Sequence, residues 1–257
     1  MQSDPVEIDA LGLLLGQFAL SAMRSALPRL EAQAQSESWS YRRYLREALE
    51  IEAQVRAERK LLRLLKEAQL PEGKTLAALH SERLSAENRR HLAELCSGHF
   101  VDRAENVLAF GLPGRGKTHF LSAIGYELIH RQQRRVWFVP TYKLVQRLLE
   151  AKKALRLEAL LKKLDTLEAI ILDDLGYVQQ SREEMEVLFT FLAERYERRS
   201  VLISSNLVFS KWEQIFHDPM TAMAAIDRLV HHSVILEFSG ESHRSPVKTK
   251  AQRAKPS

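Results

Sequence analysis

A single cysteine, Cys96, leaves this 257-residue chain without an internal disulfide. That suits a reducing compartment and makes a small buried hydrophobe the ordinary reading of the thiol. Long apolar runs are missing too. Leu11 to Leu20 follows Asp4, Glu7 and Asp9 and has about half the ~20 residues that a membrane span needs. We read it as neither signal peptide nor anchor, but as an amphipathic helix turning Leu11, Leu14, Leu15 and Phe18 toward other helices. There is no internal repeat. The adjacent His231 and His232 have no Cys or carboxylate set nearby, and neighbouring helical residues point about 100° apart, which excludes a zinc site there.

Glycine is scarce, ten in all, and three of them fall within six positions: Gly111-Leu112-Pro113-Gly114-Arg115-Gly116-Lys117-Thr118. This matches G-x-x-x-x-G-K-[ST], the loop that cradles phosphates. Gly111, Gly114 and Gly116 let backbone N–H groups turn inward around phosphate oxygens in dihedral combinations that side chains would block. Lys117 can reach the β and γ phosphates, and the Thr118 hydroxyl can take a Mg²⁺ position if a helix starts here. The context agrees with that requirement. Asn106 to Phe110 is an apolar run fit for a buried strand, and Phe120, Leu121, Ile124, Leu128 and Ile129 recur at helical spacing. The pattern predicts a nucleoside triphosphate site.

Charge is modestly basic, net +5 with a pI near 9.3, which suits a phosphate-backbone partner without demanding one. Tyr41 to Lys66 holds eight Lys or Arg against four Glu, and the tail from Arg244 to Lys255 carries five cations and no acid. Both are candidate DNA contacts, although a solvated helix face and a plain charged tail explain them equally well.

The first 70 residues read as all-helical. A helix over Leu11 to Leu30 precedes a long one whose seam is Tyr44, Ala48, Ile51, Val55, Leu62 and Leu65, with Glu58 its only polar member. Pro71-Glu72-Gly73 punctuates the end. The expected organisation is a helical domain at 1–70 for DNA or partner binding, a linker with local helix at 71–101, a nucleotide-binding domain at 102–240 and a basic tail at 241–257. From Asn106 strands and helices alternate: Arg135–Val139 as strand, Leu144–Leu164 as helix, Ala169–Asp174 as strand, Ser181–Arg199 as a helix with a Ser-x-x-Glu capping box, and Ser200–Ser205 as strand. Lys211–Phe216 and Pro219–His231 read as helices and Ser233–Phe238 as a fifth strand. This alternation predicts an α/β fold with a central parallel sheet flanked by helices.

Two further signals follow the glycine loop. Ala169-Ile-Ile-Leu-Asp173-Asp174 starts its carboxylates 56 residues after Lys117, as in a Walker B strand. At the carboxyl edge of a parallel sheet, Asp173 would hold Mg²⁺ through water and Asp174 could polarise an attacking water. Ser204-Ser205-Asn206 ends the next strand, where an amide can orient water against the γ-phosphate.

Together, Gly111-Leu-Pro-Gly-Arg-Gly-Lys-Thr-His119, Ile170-Ile-Leu-Asp-Asp-Leu-Gly176, Ser204-Ser-Asn-Leu207, Lys211-Trp212, Ala224-Ala-Ile-Asp-Arg228-Leu229 and Gly240-Glu-Ser-His-Arg244 resemble the IstB family of insertion-sequence ATP-binding proteins and, more distantly, the DnaC helicase loader. The resemblance implies an AAA+ ATPase using ATP and Mg²⁺ that helps a DDE transposase engage target DNA, acting in the bacterial cytosol as a homo-oligomer on double-stranded DNA. It implies Asn206 as sensor 1, Arg228 as an arginine finger reaching a neighbouring subunit's γ-phosphate, and Arg244 as a sensor 2-like arginine. The cofactor contacts run from Gly111 to His119, with Lys117, Asp173, Asp174, Asn206 and Arg228 catalytic and Thr118 and Asp173 toward the metal. A DnaC-like loader serving a replicative helicase is the alternative, and a small-molecule kinase a third.

Overall fold

The computed structural model describes residues 5–176, 181–207 and 229–239. The expected helix at Lys211–Phe216, Trp212, nearly all of the helix at Pro219–His231, Arg228, Arg244 and the basic tail lie outside them. The chain divides into two compact units, residues 1–63 and 64–257. No helix among the described residues is long and apolar enough to cross a membrane.

The first unit is helical: α1 (Pro5–Gln17), α2 (Ser21–Ser36) and the start of α3 (Tyr41–Ala68). The single helix expected over Leu11–Leu30 is two, because Ala19 takes a left-handed φ of 55° and Leu20 N–H closes onto Leu15 O at 2.8 Å. Tertiary partners hold that corner. The amides of Ala22 and Met23, at the start of α2, donate to Glu52 Oε2 at 2.8 and 3.0 Å, and Arg56 donates to Ala19 O at 2.8 Å and to Glu52 Oε1 at 2.8 Å. Glu52 thereby caps a helix whose own N-cap position, Leu20, has no side-chain acceptor. The apolar stripe also differs from expectation. Leu15 is buried with Met23, Leu30 and Ala48, whereas Leu11, Leu14 and Phe18 are exposed, the last at 71%.

The second unit is built on a sheet of five parallel strands, β1 (Asn106–Phe110), β2 (Val136–Pro140), β3 (Ala169–Leu175), β4 (Ser200–Ser205) and β5 (Ser233–Glu237), in the order β2-β3-β4-β1-β5. Four of these strands are apolar on both faces, as a sheet covered on both sides requires. Leu108, Phe110, Val139, Ile170, Leu172, Val201 and Ile203 share one core with Leu144, Val145 and Leu148 of α7 (Thr141–Lys153), Leu164 of α8 (Leu157–Asp165) and Leu188 and Phe191 of α9 (Arg182–Arg195). Ile171, whose side chain alternates to the other face, lies against α6 (Lys117–Gln132), where Gly125 leaves room for it and for Leu70.

The helix expected over Leu144–Leu164 is broken: Leu155 has a φ of 54°, and α7 and α8 meet there as separate helices. The Ser181 capping box forms as expected, but α9 ends at Arg195. Residues 71–101 hold a short 3-10 turn at Ser81–Arg83, α4 (Ala86–Cys96) and the start of α5 (His99–Asp102). α4 is tied to the sheet by Asn88 Nδ2 donating to Glu237 O at 2.9 Å. Cys96 is buried, and burial pushes its thiol up to about 11, which fits an inert core residue.

Candidate nucleotide site

The strand order inserts β4 between β1 and β3, so the loop after β1 and the ends of β4 and β3 meet at one carboxyl edge. The glycine loop leaves β1 through Gly111, at φ 148°, where a Cβ would collide with Phe238 O. Gly114 and Gly116 take φ of 81° and 89°, and Gly116 is the left-handed residue from which α6 starts. No L side chain adopts these angles cheaply. The loop therefore requires its glycines by conformation. Leu112 and Pro113 are exposed at its tip.

Lys117 is buried and its ammonium folds back across the loop, donating to Gly111 O at 2.7 Å, Leu112 O at 3.0 Å and Asn206 Oδ1 at 2.8 Å. Asn206 Nδ2 in turn donates to Asp174 Oδ1 at 3.1 Å. Beside this chain a second one forms around Asp173 Oδ1, which accepts from Thr118 Oγ1 at 2.8 Å and from Ser204 Oγ at 2.6 Å. The structure thus brings together Lys117, Thr118, Asp173, Asp174 and Asn206. Arg115 donates to Phe238 O at 3.2 Å, and His119 donates to Thr75 O at 3.0 Å.

A bulge delivers the carboxylates. Register between β3 and β4 shifts from Leu172 opposite Ile203 to Leu175 opposite Ser205, and Asp174 takes a φ of 57°. The Ser204 hydroxyl fills the interruption, accepting from Asp174 N–H at 2.9 Å while donating to Asp173. Left-handed backbone at a residue other than glycine is uncommon and concentrates where function over-determines geometry. Burial pushes the Asp173 carboxyl above its ordinary range; the Ser204 and Thr118 hydroxyls pull it down, Asp174 pushes it up and Lys74 pulls it down.

Sequence reading missed Ser204 as the plug of the bulge and Thr141, whose hydroxyl donates to Asp173 O at 2.9 Å. Two hydroxyl residues ending an apolar strand were the only signal for the first. Nothing local pointed to the second.

Thr118 and Asp173 supply a hydroxyl and a carboxylate 2.8 Å apart. This hard-oxygen pair fits Mg²⁺, which takes one or two protein ligands and completes its shell with phosphate and water.

Strand order, glycine loop and paired carboxylates define a P-loop protein of the AAA+ type. The DnaC helicase loader shares the fold, with a TM-score of 0.53 at 17% identity over 65% of this chain and 98% of that one. The chain belongs to the IstB family: the family profile described as IstB-like ATP binding protein matches residues 13–251. A Sinorhizobium fredii protein named as an insertion sequence ATP-binding protein is 39% identical over 96% of this chain and 83% of its own length. One from Pseudomonas aeruginosa, named for insertion sequence IS21, is 37% identical over 94% and 91%.

Proposed function

We propose that this protein is the ATP-hydrolysing helper of an insertion-sequence transposition system, assembling with ATP on duplex DNA and engaging the element's DDE transposase. The observation that carries the nucleotide part is the connected set Lys117–Asn206–Asp174 and Thr118–Asp173–Ser204, at hydrogen-bond distance throughout. Membership of the family and its insertion-sequence relatives support the transposition part.

In this reading the loop amides and Lys117 bind the β and γ phosphates. Lys117 exchanges Gly111 O, Leu112 O and Asn206 Oδ1 for phosphate oxygens, gaining anionic acceptors in place of neutral ones. The released Asn206 amide orients a water, and Asp174, held at the bulge, accepts its proton. Thr118 and Asp173 hold Mg²⁺, which supplies charge neutralisation on the phosphates when bound. Arg228 reaches the γ-phosphate of a neighbouring subunit and Arg244 closes on the nucleotide from its own chain, so the complete site forms between subunits. The helical residues 1–70 and the tail at 241–257 meet DNA or the transposase.

Sedimentation and DNA anisotropy with and without ATP test it. ATP should promote both oligomers and salt-sensitive duplex binding, and Lys117→Ala should lower ATP affinity by about a hundredfold or more. Unchanged sedimentation and DNA binding on adding ATP would sink the assembly reading.

A further inference from the structure

Beside β2, an edge strand of the sheet, a cleft of about 450 Å³ opens among the end of α3, α7 and α8. Leu144, Leu160, Leu164 and Leu167 form its floor, buried or half-buried on the core that these helices share with the sheet. Trp137 lines it too, with its indole N–H donating to Gln69 Oε1 at 3.3 Å. Around this apolar floor stand three exposed cations, Arg135, Arg147 and Lys163, against one acid, Glu67. None of the three is ion-paired among the described residues, although their chain neighbours are: Arg134 holds Glu168 at 2.7 Å and Lys162 holds Glu158 at 2.6 Å. The unpaired cations are nevertheless held in place. Arg147 lies over the Trp137 ring, 5.2 Å from its centroid, and the backbone of Arg135 donates to Glu168 Oε2 at 2.9 Å and accepts from the amides of Glu168 and Ala169.

We propose that this cleft is the docking site for a segment of the transposase in which large apolar side chains are flanked by Asp or Glu. This deepens the transposition reading above and rests on it.

The floor decides the class of partner. A DNA duplex turns phosphates and sugars outward and keeps its bases stacked inside, so it would meet the three cations and leave the leucines wet. A single strand gains by stacking bases on aromatic rings, but Trp137 is only 7% exposed and already has Arg147 over its face. An acidic peptide with an apolar centre satisfies both features. Its apolar groups cover the leucines, and its carboxylates take charge-assisted hydrogen bonds from Arg135, Arg147 and Lys163. The same carboxylates relieve the repulsion of three like charges around one opening, which also disfavours a basic partner.

The test is association of the element's purified transposase with the full chain, in ATP and Mg²⁺, followed by biolayer interferometry at low and high salt. Lys163→Glu, and more so Arg147→Glu combined with Lys163→Glu, should slow association about tenfold and flatten its salt dependence, because rim charges act mainly on the encounter rate. ATP affinity and duplex anisotropy should stay within about twofold of wild type, with an unchanged thermal midpoint. Arg147→Lys keeps the charge and should keep most of the rate, whereas Leu160→Ala trims the floor and should raise the dissociation rate about fivefold. A wild-type association rate in the double variant overturns the proposal. So does an equal loss of duplex binding, which would make the cleft a DNA surface. If the wild-type chain captures no transposase, the transposition reading falls and this proposal with it.

Discussion

Each edge of the parallel sheet buries a cation against backbone carbonyls. At the carboxyl edge Lys117 donates to Gly111 O and Leu112 O; at the amino edge Arg195 donates to Leu164 O, Leu167 O and Ser200 O at 3.0 to 3.1 Å. The surroundings differ. Arg195 is 2% exposed, and its carbonyls sit on the segments entering β3 and β4. Burial pushes its guanidinium down, to about 9, with Asp165 opposing the fall and Arg199 and Arg198 adding to it. At neutral pH it remains a cation. Lys117 opens α6 directly after a loop whose glycines are at positive φ, with exposed residues at its tip and a neighbouring amide that has its own second partner. The same bond type fastens loops at one edge and waits for an anion at the other, and the difference is that the loop at the carboxyl edge is open to solvent.

The sharpest way to break the comparison is to remove each cation. Arg195→Ala removes three hydrogen bonds to backbone carbonyls, two of them buried, and leaves a cavity beside Phe191, so it should cost about 3–4 kcal/mol in urea unfolding. Lys117→Ala should cost the fold less than about 1 kcal/mol, since water can reach its loop acceptors, even though nucleotide binding is lost. Equal destabilisation by the two substitutions would mean that Lys117 is scaffold as well.

This contrast also marks what was legible in the sequence. Strands Asn106–Phe110 and Ser200–Ser205 match the expected bounds residue for residue, because buried parallel strands are continuous apolar runs with sharp ends. The glycine loop, Asp173, Asp174 and Asn206 carry their chemistry in local order, and the structure brings them within hydrogen-bond reach. Features set by distant partners were hidden. Ala19 and Leu155 end helices in a left-handed conformation where no glycine announces it. Ser204 and Arg195 acquire their roles from segments 31 residues away, a separation that periodicity does not report.

Asp173 gives a second test of the two edges. Its proton is held more tightly in the folded chain because of burial, so the folded state keeps that proton to higher pH than the unfolded state does. The contribution to stability is then greatest below the ordinary carboxylate range and declines as pH rises through the folded pKa. Asp173→Asn keeps an oxygen acceptor for Thr118 and Ser204 and removes the buried charge. Without nucleotide it should gain about 1 kcal/mol at neutral pH, lose the decline, and fail to hold Mg²⁺-nucleotide. A destabilised Asp173→Asn chain would place this carboxylate with Arg195 on the structural side.

Glu52 sharpens the contrast with its sign reversed: an anion, in the helical unit, that receives backbone donors instead of supplying them. The Met23 amide, followed by Arg56 and the Ala22 amide, lowers its carboxyl. A lowered carboxyl contributes stability above its unfolded pKa and loses it as pH falls through the folded value, the opposite of Asp173. Glu52→Gln retains an acceptor oxygen without the charge, so the effect should be the smallest of the three and confined to the α1–α2 corner. Hydrogen exchange at the Ala22 and Met23 amides of the full chain reads it directly. Exchange should quicken at both in the variant, and in the wild-type chain protection should fall on acidification, with ATP affinity untouched. Wild-type protection in Glu52→Gln would show that the oxygen alone caps α2, and that charge matters only at the edge of the sheet where an anion is to be bound.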